Sequence, residues 1–309
     1  MTSTASPSGR AWLINALVTV VLWGVWGAFS DQSAKHGFPD TLVYCVWALT
    51  MIPPAFIALR MGGSKLELSG KAVAYGMAVG LLGAGGQMVL FYALTRGPAY
   101  LIFPIISLSP LVTILMSFAF LGERTGKLGI VGIALALIAL PIFNYAPADG
   151  SATGGSEWFI LALIVLLAWG VQAYFMKSAN NYMSAEGIFF YMMVAGLLLI
   201  PVAWLLTDRS HPINWGWTGM TAVIQVLNAI GALTLVYAFR YGKAIIVAPL
   251  SNAGAPLATA VISLIALGVM PGPLKIVGLI LALAASLLLA VEPDAADDAV
   301  AGESHPVLS

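Results

Sequence analysis

Uncharged polar and aromatic side chains set inside long apolar runs carry the chemistry that this sequence offers. Trp23, Trp26 and Ser30 stand at i, i+3 and i+7 and so share one face of a helix. Trp169, Gln172 and Met176 form the matching face later in the chain, and Thr221, Gln225 and Asn228 follow i, i+4, i+7. Gln87 lies one residue beyond the cluster Gly83-Ala84-Gly85-Gly86. Gln and Asn are costly against lipid, so these faces are expected to point into a helix bundle or a wet cavity. There the amides can hydrogen-bond a small molecule and the indoles can stack on rings or sugar faces, which is recognition without bond making. Interhelical hydrogen bonds, worth about 0.6 kcal/mol each, are the plainer use of the same amides. Trp23 and Trp169 lie too deep in their runs to serve as interfacial anchors.

Two proline pairs, Pro104 with Pro110 and Pro249 with Pro256, form a second set. An interior proline leaves a carbonyl without its donor and kinks the helix. Ser107, Ser109, Ser251 and Asn252 fall between the prolines, placed to satisfy those carbonyls or to meet a small molecule.

Reactive constellations are missing. The sequence has no paired carboxylates at metal-ligand spacing, no His-Glu metal motif, no phosphate-cradling loop and no nucleophile elbow. His36, His211 and His305 all fall in connections or the tail. No enzyme, metal or cofactor is expected. The single cysteine, Cys45, supports neither an intrachain disulfide nor a thiolate cluster.

The elements that must position these residues follow from composition. Of 309 residues, 60% are hydrophobic and 8% charged, and the mean hydropathy is +0.96. Soluble domains are about 45–50% apolar and about 25% charged. One soluble core could not hide so much apolar surface, so a membrane protein is expected. Thirteen basic and 13 acidic residues balance to zero and leave no basic stripe for nucleic acid. A membrane span needs about 20 apolar residues. Ten runs qualify: 11–30, 41–60, 72–94, 99–121, 128–145, 157–176, 187–206, 216–239, 244–268 and 272–291. Segment 1–10 precedes them, and the longest connection, 146–156, is rich in Gly, Ala and Ser. The tail 292–309 carries Glu292, Asp294, Asp297, Asp298 and Glu303 and reads as a solvated end.

Basic residues set orientation. With the amino terminus in the cytoplasm, Arg10, Arg60, Lys65, Lys71, Arg124, Lys127, Lys177, Arg240 and Lys243 lie inside, against Lys35, Arg96, Arg209 and Lys275 outside. Both termini are therefore expected in the cytoplasm, with the chain in the cytoplasmic (inner) membrane of the cell.

The chain repeats itself. Tyr92-Ala93, Gly97 and Pro104 align with Tyr237-Ala238, Gly242 and Pro249 at an offset of 145 residues. At 146, Trp23-Gly24-Val25 matches Trp169-Gly170-Val171, Leu121-Gly122 matches Leu267-Gly268, and Ile130-Val131-Gly132 matches Ile276-Val277-Gly278. Five spans per copy is an odd number, so the second copy should enter the membrane upside down. The turn Gly122-Glu123-Arg124 accordingly becomes Gly268-Val269-Met270, without its charges. Inverted repeats with a midplane site at their interface are a design of secondary transporters.

Three stretches resemble the EamA-type members of the drug/metabolite transporter superfamily: Leu22–Gly27 (LWGVWG), Ser107–Gly132 and Tyr241–Leu250 (YGKAIIVAPL). The resemblance implies ten helices in two inverted five-helix repeats, 11–145 and 157–291, and transport of small metabolites or drugs, often outward. The second repeat departs from the family pattern by lacking the Gly-Glu-Arg turn.

The sequence thus predicts an all-α, ten-span secondary transporter working by alternating access around a central cavity, with efflux of a neutral or zwitterionic molecule preferred. The lining expected is Trp23, Trp26, Gln87, Ser107, Trp169, Gln172, Gln225, Asn228, Ser251 and Asn252. Asp31, at the end of the first run, is the position from which an acid could couple transport to an ion, while Glu123 and Lys177 read as interfacial charges. The partners called for are the bilayer and a small-molecule substrate, with homo-oligomerisation open. A nutrient importer of the same superfamily and a non-transporting membrane scaffold are the alternatives.

Overall fold

Apolar segments in lipid must satisfy their backbone polar groups internally, and here they do so as helices. The computed structural model describes residues 10–30, 32–63, 65–96, 99–144, 157–210, 212–267 and 272–291. Among them the regular structure is entirely helical. The segments are α1 (Ala11–Phe29), α2 (Asp40–Met61), α3 (Gly70–Arg96), α4 (three consecutive pieces, Ala99–Ile106, Ser109–Met116 and Ser117–Leu121) and α5 (Lys127–Asn144). They continue as α6 (Glu157–Ala179), α7 (Ala185–Leu205), α8 (Thr218–Tyr241), α9 (Ala244–Leu267) and α10 (Pro273–Ala290). Among the described residues eight segments are long and apolar enough to cross a membrane, and α4 and α5 hold the shorter apolar pieces.

Prolines explain most of the breaks. Pro53 and Pro201 open the second halves of α2 and α7, each within two residues of an interruption at Met51 or Leu199. In α4, Pro110 lies in the first turn of the second piece; in a continuous helix its ring would clash with the Ile106 carbonyl, and the first piece ends at that residue. α9 differs, since it stays helical from Ala244 to Leu267 with both Pro249 and Pro256 inside it. α4 closes with a π turn, Ser117–Leu121, capped by Gly122 at φ 67°, a left-handed conformation that suits glycine.

Packing joins the two copies of the repeat. α1 packs against α8 and α9, and its counterpart α6 packs against α3 and α4. α2 meets α7 and α8, while α7 meets α3. The outer helices bury only a narrow stripe, whereas α7 is buried over most of Ala185–Gly196. In α1 the stripe is Trp12, Ala16, Thr19, Gly24 and Ala28, leaving Ile14, Leu17, Val18 and Val21 on the outside. α5 and α10 pair with one another and with α9 through Ala136, Ala139, Ala282 and Ala285, and present Ile138, Ile280, Leu283 and Leu287 outward.

Candidate functional site

The two Trp-Gly pairs act as reciprocal joints between the repeats. Trp23 on α1 donates its indole N–H to the carbonyl of Asn228 on α8 at 3.2 Å. Trp169 on α6 donates to the carbonyl of Gly83 on α3 at 3.3 Å. Asn228 and Gly83 are counterparts at the 145 offset. Each ring also lies on a counterpart glycine: a Cβ on Gly231 would come within 2.5 Å of Trp23, and one on Gly86 within 2.6 Å of Trp169. The glycine after each tryptophan admits another helix. Thr259 on α9 donates to the Gly24 carbonyl at 3.2 Å, and Thr113 on α4 to the Gly170 carbonyl at 2.9 Å. A Cβ at Gly24 would overlap Ala258, and one at Gly170 would overlap Val112. Three helices of each copy are thereby fixed to the other by matching contacts.

The structure brings several of the sequence-predicted residues together here. Trp26 donates its N–H to Oε1 of the buried Gln225 at 3.2 Å. The Gln172 carboxamide fills the space above Gly83, beside Trp169. Asn228 contributes its carbonyl to Trp23, and its side chain, like those of Gln87 and Gln172, is half-buried. Ser107 lies at the break in α4. Asn252 donates to the Ala248 carbonyl of its own helix at 2.9 Å, and Ser251 is fully buried with no partner for its hydroxyl among the described residues. Asp31 lies outside the described residues. Trp23 and Trp169 are thus committed to packing with their polar atoms already bonded. Thr19 was missed from sequence; buried in α1, it shares its hydroxyl between the Gly231 carbonyl, at 3.1 Å, and Thr234, at 2.8 Å.

One end of the bundle gathers charge. Trp12 at the start of α1 lies against Gly242, to whose carbonyl Lys177, near the end of α6, donates at 2.6 Å. Glu123, after α4, accepts the Ile245 N–H of α9 at 3.0 Å. Glu67 accepts the backbone N–H of Ser184 at 2.8 Å at the start of α7, and Arg240 donates to the Met183 carbonyl at 3.3 Å. Glu186, a buried carboxylate, accepts the Tyr237 hydroxyl at 2.5 Å. Ser184 caps α7 by accepting the Gly187 N–H. The core at this basic end is one continuous cluster running through Met176, Ala179, Ile188, Phe189, Val236, Phe239 and Ala244. At the opposite end the buried apolar residues divide into two smaller clusters, around Phe38 and Tyr44 and around Leu90 and Ile102. Contacts there are lighter: Ser33 with Thr221 at 2.9 Å, Thr41 with Thr207 at 2.8 Å, and the His36 ring stacked on Trp217.

A helical bundle of many apolar spans, built from two copies of one unit and holding polar groups at their junction, defines a multi-pass membrane transporter. The model of the EamA-like transporter family matches this chain twice, over residues 10–145 and 156–291. The chain belongs to that family. It is 28% identical over 207 residues to the pseudopaline exporter CntI of Pseudomonas aeruginosa strain UCBPP-PA14, covering 66% of this chain and 70% of the relative. An uncharacterized protein, MJ1333.1 of Methanocaldococcus jannaschii, is 31% identical over 74 residues, which are 24% of this chain and 54% of that one. A crystal structure of a protein superimposes with a TM-score of 0.73 at 17% identity, over 90% of this chain and 98% of that chain, a likeness of fold.

Proposed function

We propose that the protein exports a small neutral or zwitterionic metabolite or drug by alternating access, the substrate passing between two inverted five-span repeats, 11–145 and 157–291, joined by 146–156. The observation that carries this reading is the reciprocal seating of Trp23 on Asn228 and Gly231 and of Trp169 on Gly83 and Gly86. Such an arrangement is what a pseudo-two-fold centre bordered by α1, α3, α6 and α8 would produce. Inversion is further supported by the basic end, where the start of α1 and the end of its counterpart α6 both meet Gly242.

Gln87, Gln172 and Asn228 offer half-buried amides to a substrate, with Ser107, Ser251 and Asn252 on the two proline-bearing helices. Trp26 and Gln225 brace the wall. None of these residues is an arginine or a lysine, which favours an uncharged or zwitterionic substrate over a polyanion. Outward movement is favoured by the relationship to an exporter. The distribution of basic residues favours cytoplasmic termini in an inner-membrane protein. Asp31 remains the position from which an acid could couple transport to an ion. Accumulation of labelled amino acids, nucleosides and sugars in inside-out vesicles, with organic polyanions beside them, tests direction and substrate class together. Uptake confined to polyanions, or exit without uptake, contradicts the proposal.

A further inference from the structure

The basic end carries a charge arrangement whose counterpart at the other end cannot form from the residues present. Gly122 turns the chain at the end of α4 so that the Glu123 carboxylate meets the Ile245 N–H in the first turn of α9. A helix N-terminus favours an anion there. Lys177 reaches the Gly242 carbonyl just beyond α8, and a helix C-terminus favours a cation. The two side chains also feel one another electrostatically. The connection Gly242-Lys243 is thus held by a base from α6, and the start of α9 by an acid from the first repeat. At the repeat offsets the counterparts of Glu123, Lys177, Gly242 and Ile245 are Val269, Asp31, Gly97 and Tyr100. The acid has become apolar and the base has become an acid.

Building on the transporter reading, we infer that Glu123 and Lys177 are positioning residues that clamp the start of α9 and hold the basic end shut. α9 carries Ser251 and Asn252 two turns further on, so releasing the clamp moves the substrate-facing part of the helix. Opening toward the basic end breaks two charge-assisted bonds, and the repeat counterparts of Glu123 and Lys177, Val269 and Asp31, do not supply the same acid and base to the opposite end. The empty carrier therefore rests with its basic end closed.

Full-length protein in proteoliposomes, with Cys45→Ala and spin labels at two pairs of sites, tests this. Lys127→Cys with Tyr241→Cys reports the basic end, and Ala34→Cys with Leu274→Cys the opposite end; Lys127, Tyr241, Ala34 and Leu274 are all exposed. In the parent the basic-end pair gives mainly the short distance. Glu123→Ala and Lys177→Met each raise the long-distance fraction about fivefold, with the opposite pair drawing together. Glu123→Gln, which keeps an acceptor oxygen, gives a smaller rise and serves if the alanine variant does not fold. The exchange Glu123→Lys with Lys177→Glu stays open, because each charge then faces the wrong end of a helix dipole. Restoration of the parent distribution by that exchange would indicate a simple ion pair and overturns the clamp. So do unchanged distances in folded Glu123→Ala and Glu123→Gln while flux persists. A parent with no flux and one fixed distance at each end overturns the transporter reading beneath it.

Discussion

The indole N–H of Trp23 is bonded to the carbonyl of Asn228, 205 residues away, and the ring covers Gly231 one turn further along the same helix. This contact joins the first repeat to the second, and Trp169 repeats it in the other direction through Gly83 and Gly86. Trp23→Phe is expected to cost about 1 kcal/mol, since it removes one hydrogen bond and keeps most of the ring. Gly231→Ala forces the ring off its seat and is expected to cost more, about 1–3 kcal/mol. Thermal unfolding of the two variants in detergent gives the comparison. Equal, negligible shifts would mean that the joint does not hold the repeats together.

The threonines beside the paired glycines should behave differently from the glycines themselves. Thr113→Val and Thr259→Val each lose one interhelical bond, about 0.6 kcal/mol. Gly170→Ala meets Val112 and the Ser109 carbonyl, and Gly24→Ala meets Ala258, so both should destabilise by more than the threonine changes. The ranking of four melting temperatures checks this.

Glu186 and Tyr237 form a buried pair at the basic end. Tyr237→Phe leaves a buried carboxylate short of a donor, with a cost of about 1–3 kcal/mol. Adding Glu186→Leu to Tyr237→Phe should recover part of that loss, because both partners are then apolar. A double-mutant cycle by thermal unfolding measures the coupling, and strictly additive losses would argue against it.

The site amides divide by what they already bond. Gln225 accepts from Trp26, so Gln225→Leu strands an indole N–H and lowers stability. Gln87→Leu removes a half-buried amide and is expected to raise KM while leaving the stability within about 0.5 kcal/mol of the parent. Transport kinetics beside thermal unfolding separate the two effects.

Much of this architecture is legible in the residues, and what is not has identifiable causes. The repeated Trp-Gly-Val shows because tryptophan and glycine stand out in a background of Leu, Ala and Val, and the structure gives each of its first two residues a separate task. Thr113 and Thr259 occupy the same repeat position and carried the same signal, but a lone threonine in an apolar run does not announce a bond to a distant carbonyl. Gln225 and Trp26 were found as polar faces of separate helices; that they meet depends on which helices are neighbours, which periodicity does not encode. Glu123 and Lys177 read as interfacial charges because each stands at the end of its own span, and only the packing of α4, α6 and α9 brings them onto one turn. Equal proline pairs suggested matching kinks in α4 and α9. The pairs are spaced six and seven residues apart, and α4 breaks at Ser107 while α9 does not.

Counterflow in proteoliposomes tests the central claim most directly. Vesicles loaded with one unlabelled candidate at a time are given the labelled compound outside, with parent, Gln172→Ala and Asn228→Ala run in parallel. A substrate-binding centre between the repeats predicts transient accumulation of one neutral or zwitterionic class by the parent. Both variants should then show a raised KM at unchanged melting temperature. Parent-like KM values in both folded variants would place the substrate elsewhere and contradict the account.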